Sequence, residues 1–188
     1  MPKCVFWDND KDEIAGALCL SIRILVLDMS GKKGGGLSME QEPLQLQKAY
    51  KDILLSCTDK MAGLSLQETE QFPKEGKAVF LGSVVTSGDC PFEIRCVVEQ
   101  PVYKRIINGM TKGKKLGEDM QRLYFAEYMN VVCGKIISRR NNAKGEFLRI
   151  SVPVVSYEDS YIERQKEQMP TFQFICEDGW MGVYFLRD

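Results

Sequence analysis

Residues 116–138 repeat apolar side chains at helical spacing for about six turns, and strand-like runs flank them on both sides. Phe125, Met129, Val132 and Ile136 gather on one side of this helix and form its core stripe. A helix of that length with a single apolar stripe needs a surface to lie on, and the neighbouring strands can supply one. Upstream, Lys77–Val85 and Cys90–Glu99 read as two strands joined at Thr86-Ser-Gly-Asp89, a hairpin signal. Downstream, Phe147–Val155 reads as a strand whose Pro153 suits a strand end, an edge or a bulge. Thr171–Cys176 and Trp180–Leu186 then close as a hairpin around Glu177-Asp-Gly179. A second long helix is expected over Leu44–Met61, stopped by Gly63, and a short one over Pro101–Met110. The pattern predicts an α+β fold, a largely antiparallel sheet with one face covered by the two longer helices. Helix followed by strand pair occurs twice, which suggests two related halves.

The 188-residue chain contains no histidine, so Ser-His-Asp and Cys-His catalysis and every imidazole zinc site are excluded. Its seven cysteines include no Cys-x-x-Cys pair and read as reduced thiols, mostly small core residues. Cys133 stands beside polar residues on the long helix, but nothing near it in sequence would activate a thiolate. The formal net charge is −1, and the basic clusters (Lys112, Lys114, Lys115; Arg139, Arg140) are short, so no nucleic-acid partner is expected.

Residues 1–40 differ from the rest and are expected to form an N-terminal extension of unassigned role. Its apolar run Ile14–Leu27, interrupted by Arg23, is too short to span a bilayer. Asp8, Asp10, Asp12 and Glu13 precede it where a secretory signal would carry positive charge, so no membrane association and a cytoplasmic location are expected. Ile22–Leu27 reads as a buried strand, and Asp8-Asn9-Asp10 as a solvated turn. Gly31-Lys-Lys-Gly-Gly-Gly36 lacks the Gly-Lys-Ser/Thr ending of a phosphate loop and reads as a linker to a domain over residues 41–188.

Glu127 and Asn130 lie within about 60° of each other on the long helix, on the side away from its core stripe. Glu-x-x-Asn on a helix is ordinarily a solvated face. Here Tyr124 and Val131 lie to one side of the pair and Ile137 to the other, with Leu123 and Gly134 along its line. A water-facing stripe is usually richer in Lys and Glu. A narrow polar pair edged by aromatic and aliphatic residues, with a glycine that permits close approach, reads as a docking surface.

Twenty-two residues separate Asn130 from Pro153, and Glu-x-x-Asn followed at that distance by proline resembles the signature of the CheC/CheX/FliY family of chemotaxis phosphatases. The similarity continues through Gly134, the strand ending Leu148-Arg-Ile-Ser-Val-Pro153, and the terminal hairpin. It covers roughly residues 44–188 and resembles CheX in particular, because only one helix bears the doublet; Ser56 and Asp59 occupy the corresponding place in the first long helix. The family usually has Asp or Ser four residues before the Glu, where this chain has Leu123.

The resemblance implies hydrolysis of the aspartyl phosphate of a CheY-type receiver domain. Asn130 would position the attacking water, and Glu127 would pair with the receiver's lysine. The receiver would bring the Mg²⁺, so no cofactor or metal of this chain's own is expected. The resemblance also implies a homodimer, for which Trp180, Tyr184 and Phe185 offer aromatic surface. Two other readings stay open: a non-catalytic CheX-like module that binds receivers or only dimerises, and an unrelated α+β domain.

Overall fold

The computed structural model describes residues 43–70, 77–159 and 170–187. The expectations for residues 1–40 lie outside them. Among these described residues, three helices and seven strands follow in the order α1 (Leu44–Ala62), β1 (Gln67–Glu68), β2 (Val79–Gly88), β3 (Glu93–Glu99), α2 (Gln100–Thr111), α3 (Glu118–Lys144), β4 (Leu148–Ile150), β5 (Val154–Glu158), β6 (Phe172–Cys176) and β7 (Gly179–Leu186). The architecture is α+β, as expected from the sequence. Gly63 ends α1 in the left-handed conformation at φ 60°, its N–H donating to the Asp59 carbonyl. Glu118 and Asp119 open α3, where acidic side chains favour the helix dipole.

All pairings among the described strands are antiparallel. The sheet runs β1-β6-β7-β3-β2, with both β4 and β5 on the far edge of β2. Exchanging β1 with β4/β5, β2 with β6, and β3 with β7 reverses this order and leaves it unchanged. Each half thus lends its edge strand to the other half's hairpin, and β3–β7 is the central seam. The two related halves expected from the element order are present in the topology. The burial pattern carries the same relation into the helices. Leu54, Cys57 and Thr58 are buried on α1 at the spacing of Phe125, Tyr128 and Met129 on α3, and Thr58 Oγ1 lies 2.7 Å from Tyr128 Oη.

Alternate residues of β2, β3, β6 and β7 face the helices and join one core with Tyr50, Leu54, Ile106, Phe125, Met129, Val132 and Ile136. The opposite sheet face carries a second, smaller cluster of Val79, Val97, Trp180 and Tyr184. Trp180 and Tyr184 are buried there, whereas Phe185 turns to the helical side, with its ring stacked 5.6 Å from that of Tyr50. The three aromatics therefore divide between the two faces of the sheet, because successive residues of a strand point to opposite faces.

Two expectations are corrected. The long helix runs six residues past Ser138, to Lys144, and is closed by Gly145 at φ 67°. The strand expected over Phe147–Val155 is two short strands. Ile150 faces Thr86 and Val154 faces Ser83, so Ser151-Val-Pro153 spans only Val84 and Val85 on β2. This is a bulge, and Pro153 occupies it. Ser151 holds it closed: its N–H donates to the Val85 carbonyl at 2.8 Å, and its hydroxyl accepts from Val85 N–H at 3.0 Å.

Candidate functional site

The middle of α3 is set on the sheet by a missing side chain. A Cβ at Gly82 of β2 would stand 2.8 Å from Met129 Cγ and 3.0 Å from Phe125 Cε1. Glycine at this position lets the helix sit close, and the turn that rests on it is the turn bearing Glu127 and Asn130. With Phe125, Met129, Val132 and Ile136 all 2% exposed or less, the doublet points away from the core. Both of its side chains are exposed. Among the described residues neither makes a side-chain hydrogen bond or ion pair.

The other sequence-predicted residues divide. Tyr124 is half-buried against the core edge, and Val131 is half-buried beside Glu127. Gly134 is half-buried too, and a Cβ there would meet only Ile150 Cδ1, at an ordinary 3.9 Å. Packing within the chain therefore does not require glycine at 134, although glycine in a helix interior costs about 0.5–1 kcal/mol relative to alanine. Ile137 is corrected: it is 4% exposed and belongs to the core, not to the rim of the doublet. Helical angle alone cannot show that β4 comes to lie beside this end of α3 and covers that side. Where they meet, Gly134, Ile137, Asn141, Arg149 and Ile150 line a cleft of about 470 Å³. Pro153 lies in the bulge of the edge strand, between β4 and β5. Leu123, one turn before Glu127, is 61% exposed, and Met120 is 47% exposed.

Asn141 completes the link between α3 and the sheet. Its Nδ2 donates to the Leu148 carbonyl at 2.9 Å, and its Oδ1 accepts from Leu148 N–H at 3.1 Å. This one side chain thereby satisfies both backbone groups of Leu148, the first residue of β4. Close by, Arg140 is buried with 3% side-chain exposure, paired with Glu146 at 2.6 Å and laid over the Phe92 ring. Sequence reasoning missed both residues, since neither type announces a helix–sheet contact.

The chemistry available on this face is narrow. A carboxamide both donates and accepts hydrogen bonds without titrating, and a carboxylate can pair with a cation. Among the described residues no activated nucleophile adjoins the doublet. Cys133, on the neighbouring turn, is buried, and burial pushes its thiol up to about 12. Among the described residues no group of three or more Cys, Asp or Glu side chains is placed to hold a metal ion. No helix among them is long and apolar enough to cross a membrane. The doublet itself offers hydrogen bonding and charge.

No protein-family model and no curated protein matches this sequence. Solved structures do match. CheX from Desulfovibrio desulfuricans aligns with a TM-score of 0.62 at 14% identity, over 77% of this chain and 100% of that one. CheX from Vibrio vulnificus aligns at 0.55 and 19% identity, over 75% of this chain and 96% of that one. The CheX-CheY-BeF3-Mg complex from Borrelia burgdorferi aligns at 0.52 and 13% identity, over 74% of this chain and 97% of that one. The fold is that of CheX chemotaxis proteins.

Proposed function

We propose that this protein is a phosphatase acting on the aspartyl phosphate of a CheY-type receiver domain. The observation that carries the reading is the exposed Glu127–Asn130 doublet at the middle of a helix seated closely on the sheet of a CheX-like fold. An acyl phosphate is already activated, and the receiver contributes the phosphorylated Asp, the Mg²⁺ and a lysine. What remains is to place a water in line with phosphorus, a task of positioning and electrostatics. Asn130 accepts from that water through Oδ1 and donates to a phosphoryl oxygen through Nδ2. Glu127 pairs with the receiver's lysine and fixes the register of docking. That one chemotaxis protein of this fold has been crystallised with CheY supports the choice of partner.

The test is the rate of phosphate loss from phosphorylated receivers of the same cell, with and without this protein. Asn130→Ala should lower the rate at saturating receiver about 10²–10³-fold, as expected for loss of a positioned transition-state contact. Its receiver affinity should barely change. Full turnover by Asn130→Ala would refute the assigned roles.

Leu123 supports a second reading, a module that binds receivers without hydrolysing them, since an exposed leucine stands where the family usually has Asp or Ser. Binding of a phosphorylated receiver with no acceleration of its hydrolysis would select that reading. A homodimer in cytoplasmic solution is the assembly proposed with either one, and sedimentation at micromolar concentration tests it.

A further inference from the structure

Two exposed apolar side chains among the described residues, Leu123 at 61% and Met120 at 47%, stand on a single turn of α3. Scattered surface leucines are ordinary. These two adjoin each other, and both fall within about 40° of Glu127 on the helical wheel, so they extend the doublet's own line toward the helix N-terminus. Neither packs against the core, unlike nearby Leu116 and Tyr124. A surface-facing helix position is served as well by a polar residue of similar helix propensity, so packing among the described residues does not call for a leucine here.

We infer that Leu123, flanked by Met120, is a specificity-determining residue, which meets an apolar side chain of the receiver. The inference rests on the proposed function. Helix geometry sets where that side chain must be. Leu123 precedes Asn130 by seven residues, about 10 Å along the axis. With Asn130 at the phosphoryl group, the matching receiver residue lies about that far from phosphorus, on the surface bordering the phosphorylation site. A receiver with an aliphatic or aromatic residue there gains from burying Leu123. A receiver with a charged residue there must desolvate it against a leucine that offers no partner, and is rejected. The contact is made equally in the ground state and the transition state, so it acts on affinity and leaves the chemical step alone.

The experiment takes a receiver domain that the wild-type protein dephosphorylates. It measures KM and kcat on the phosphorylated form, and Kd on the form held with beryllium fluoride and Mg²⁺. Leu123→Ala should raise both KM and Kd about five- to twentyfold, as expected for losing burial of the exposed part of a leucine, with kcat within about twofold of wild type. Leu123→Met should stay near wild type, and Leu123→Asp should bind more weakly than the alanine variant. Unchanged Kd in Leu123→Ala overturns the inference, and so does a change in sedimentation without a change in Kd, which would place Leu123 between copies of this chain. In either case loss of turnover in Asn130→Ala keeps the phosphatase reading standing. If the wild type neither binds nor dephosphorylates any receiver, both fall together.

Discussion

Replacing Gly134 with alanine should stabilise this protein and impair its docking, two effects of opposite sign from one methyl group. Gly134 lies inside a 27-residue helix, far from either cap. Its φ is not in the left-handed region, so alanine fits the backbone without strain. The added Cβ meets only Ile150 Cδ1, at 3.9 Å, within ordinary van der Waals contact. The helix-propensity difference of about 0.8–1.0 kcal/mol therefore adds to stability with no clash against it. For a chain of this size that raises the midpoint of thermal unfolding by about 2–4 °C. The outward side of the same position lies along the line of Glu127 and Asn130. If a receiver's surface comes down across it, an inserted methyl costs about 1–3 kcal/mol of overpacking, or five- to over a hundredfold in KM. Differential scanning calorimetry and steady-state dephosphorylation read the two effects separately. A lowered midpoint would refute the free space between α3 and β4 at this position. A raised midpoint with unchanged KM would refute close approach of the partner over Gly134.

Other perturbations probe different parts of the scaffold. Glu146→Ala removes the carboxylate that pairs with buried Arg140 and should cost about 3–5 kcal/mol in urea unfolding, with Glu146→Gln milder. Gly82→Val should destabilise by about 1–3 kcal/mol and also lower turnover, because it lifts the turn bearing the doublet off the sheet; Gly82→Val with native turnover would disprove that placement. Glu127→Lys should weaken receiver binding more than Glu127→Gln, as read by Kd, since it opposes a cation with a cation. Burial pushes Cys133 from its usual 9.0 up to about 12, so above pH 9 the unfolded chain loses the proton while the folded chain keeps it. Stability should therefore fall with rising pH across that window, and Cys133→Ala should make the fall shallower in urea midpoints measured from pH 8 to 10.5.

The elements that pack through an uninterrupted apolar stripe were legible from sequence. Leu54, Cys57 and Phe125 to Ile136 recur at helical spacing, and the hairpin strands are bounded by turn residues, so fold class and the outward direction of Glu127 and Asn130 followed. Legibility ended where a polar residue took a core position. Past Ser138, Arg140 occupies the buried stripe through its ion pair with Glu146, and periodicity counts an arginine as an exit from the helix. The bulge at Ser151-Val-Pro153 depends on a serine hydroxyl standing in for a backbone acceptor, which no strand pattern encodes. Ile137 was placed at the right angle but given the wrong neighbour, since only the tertiary fold brings β4 alongside it. Gly82 gave a signal that went unread: a lone glycine inside an apolar strand marks a close approach.

The two hydrogen bonds between Asn141 and Leu148 bear on how a partner is received. They fasten the C-terminal part of α3 to the sheet edge while Gly82 seats its middle, so the helix cannot rock about its centre without breaking one attachment. The proposed recognition surface is then preorganised. Its ordering is completed when the chain folds, and an incoming domain meets side chains already in register instead of having to align a mobile helix. Loosening that fastening should weaken capture from a distance, through a residue the partner never touches.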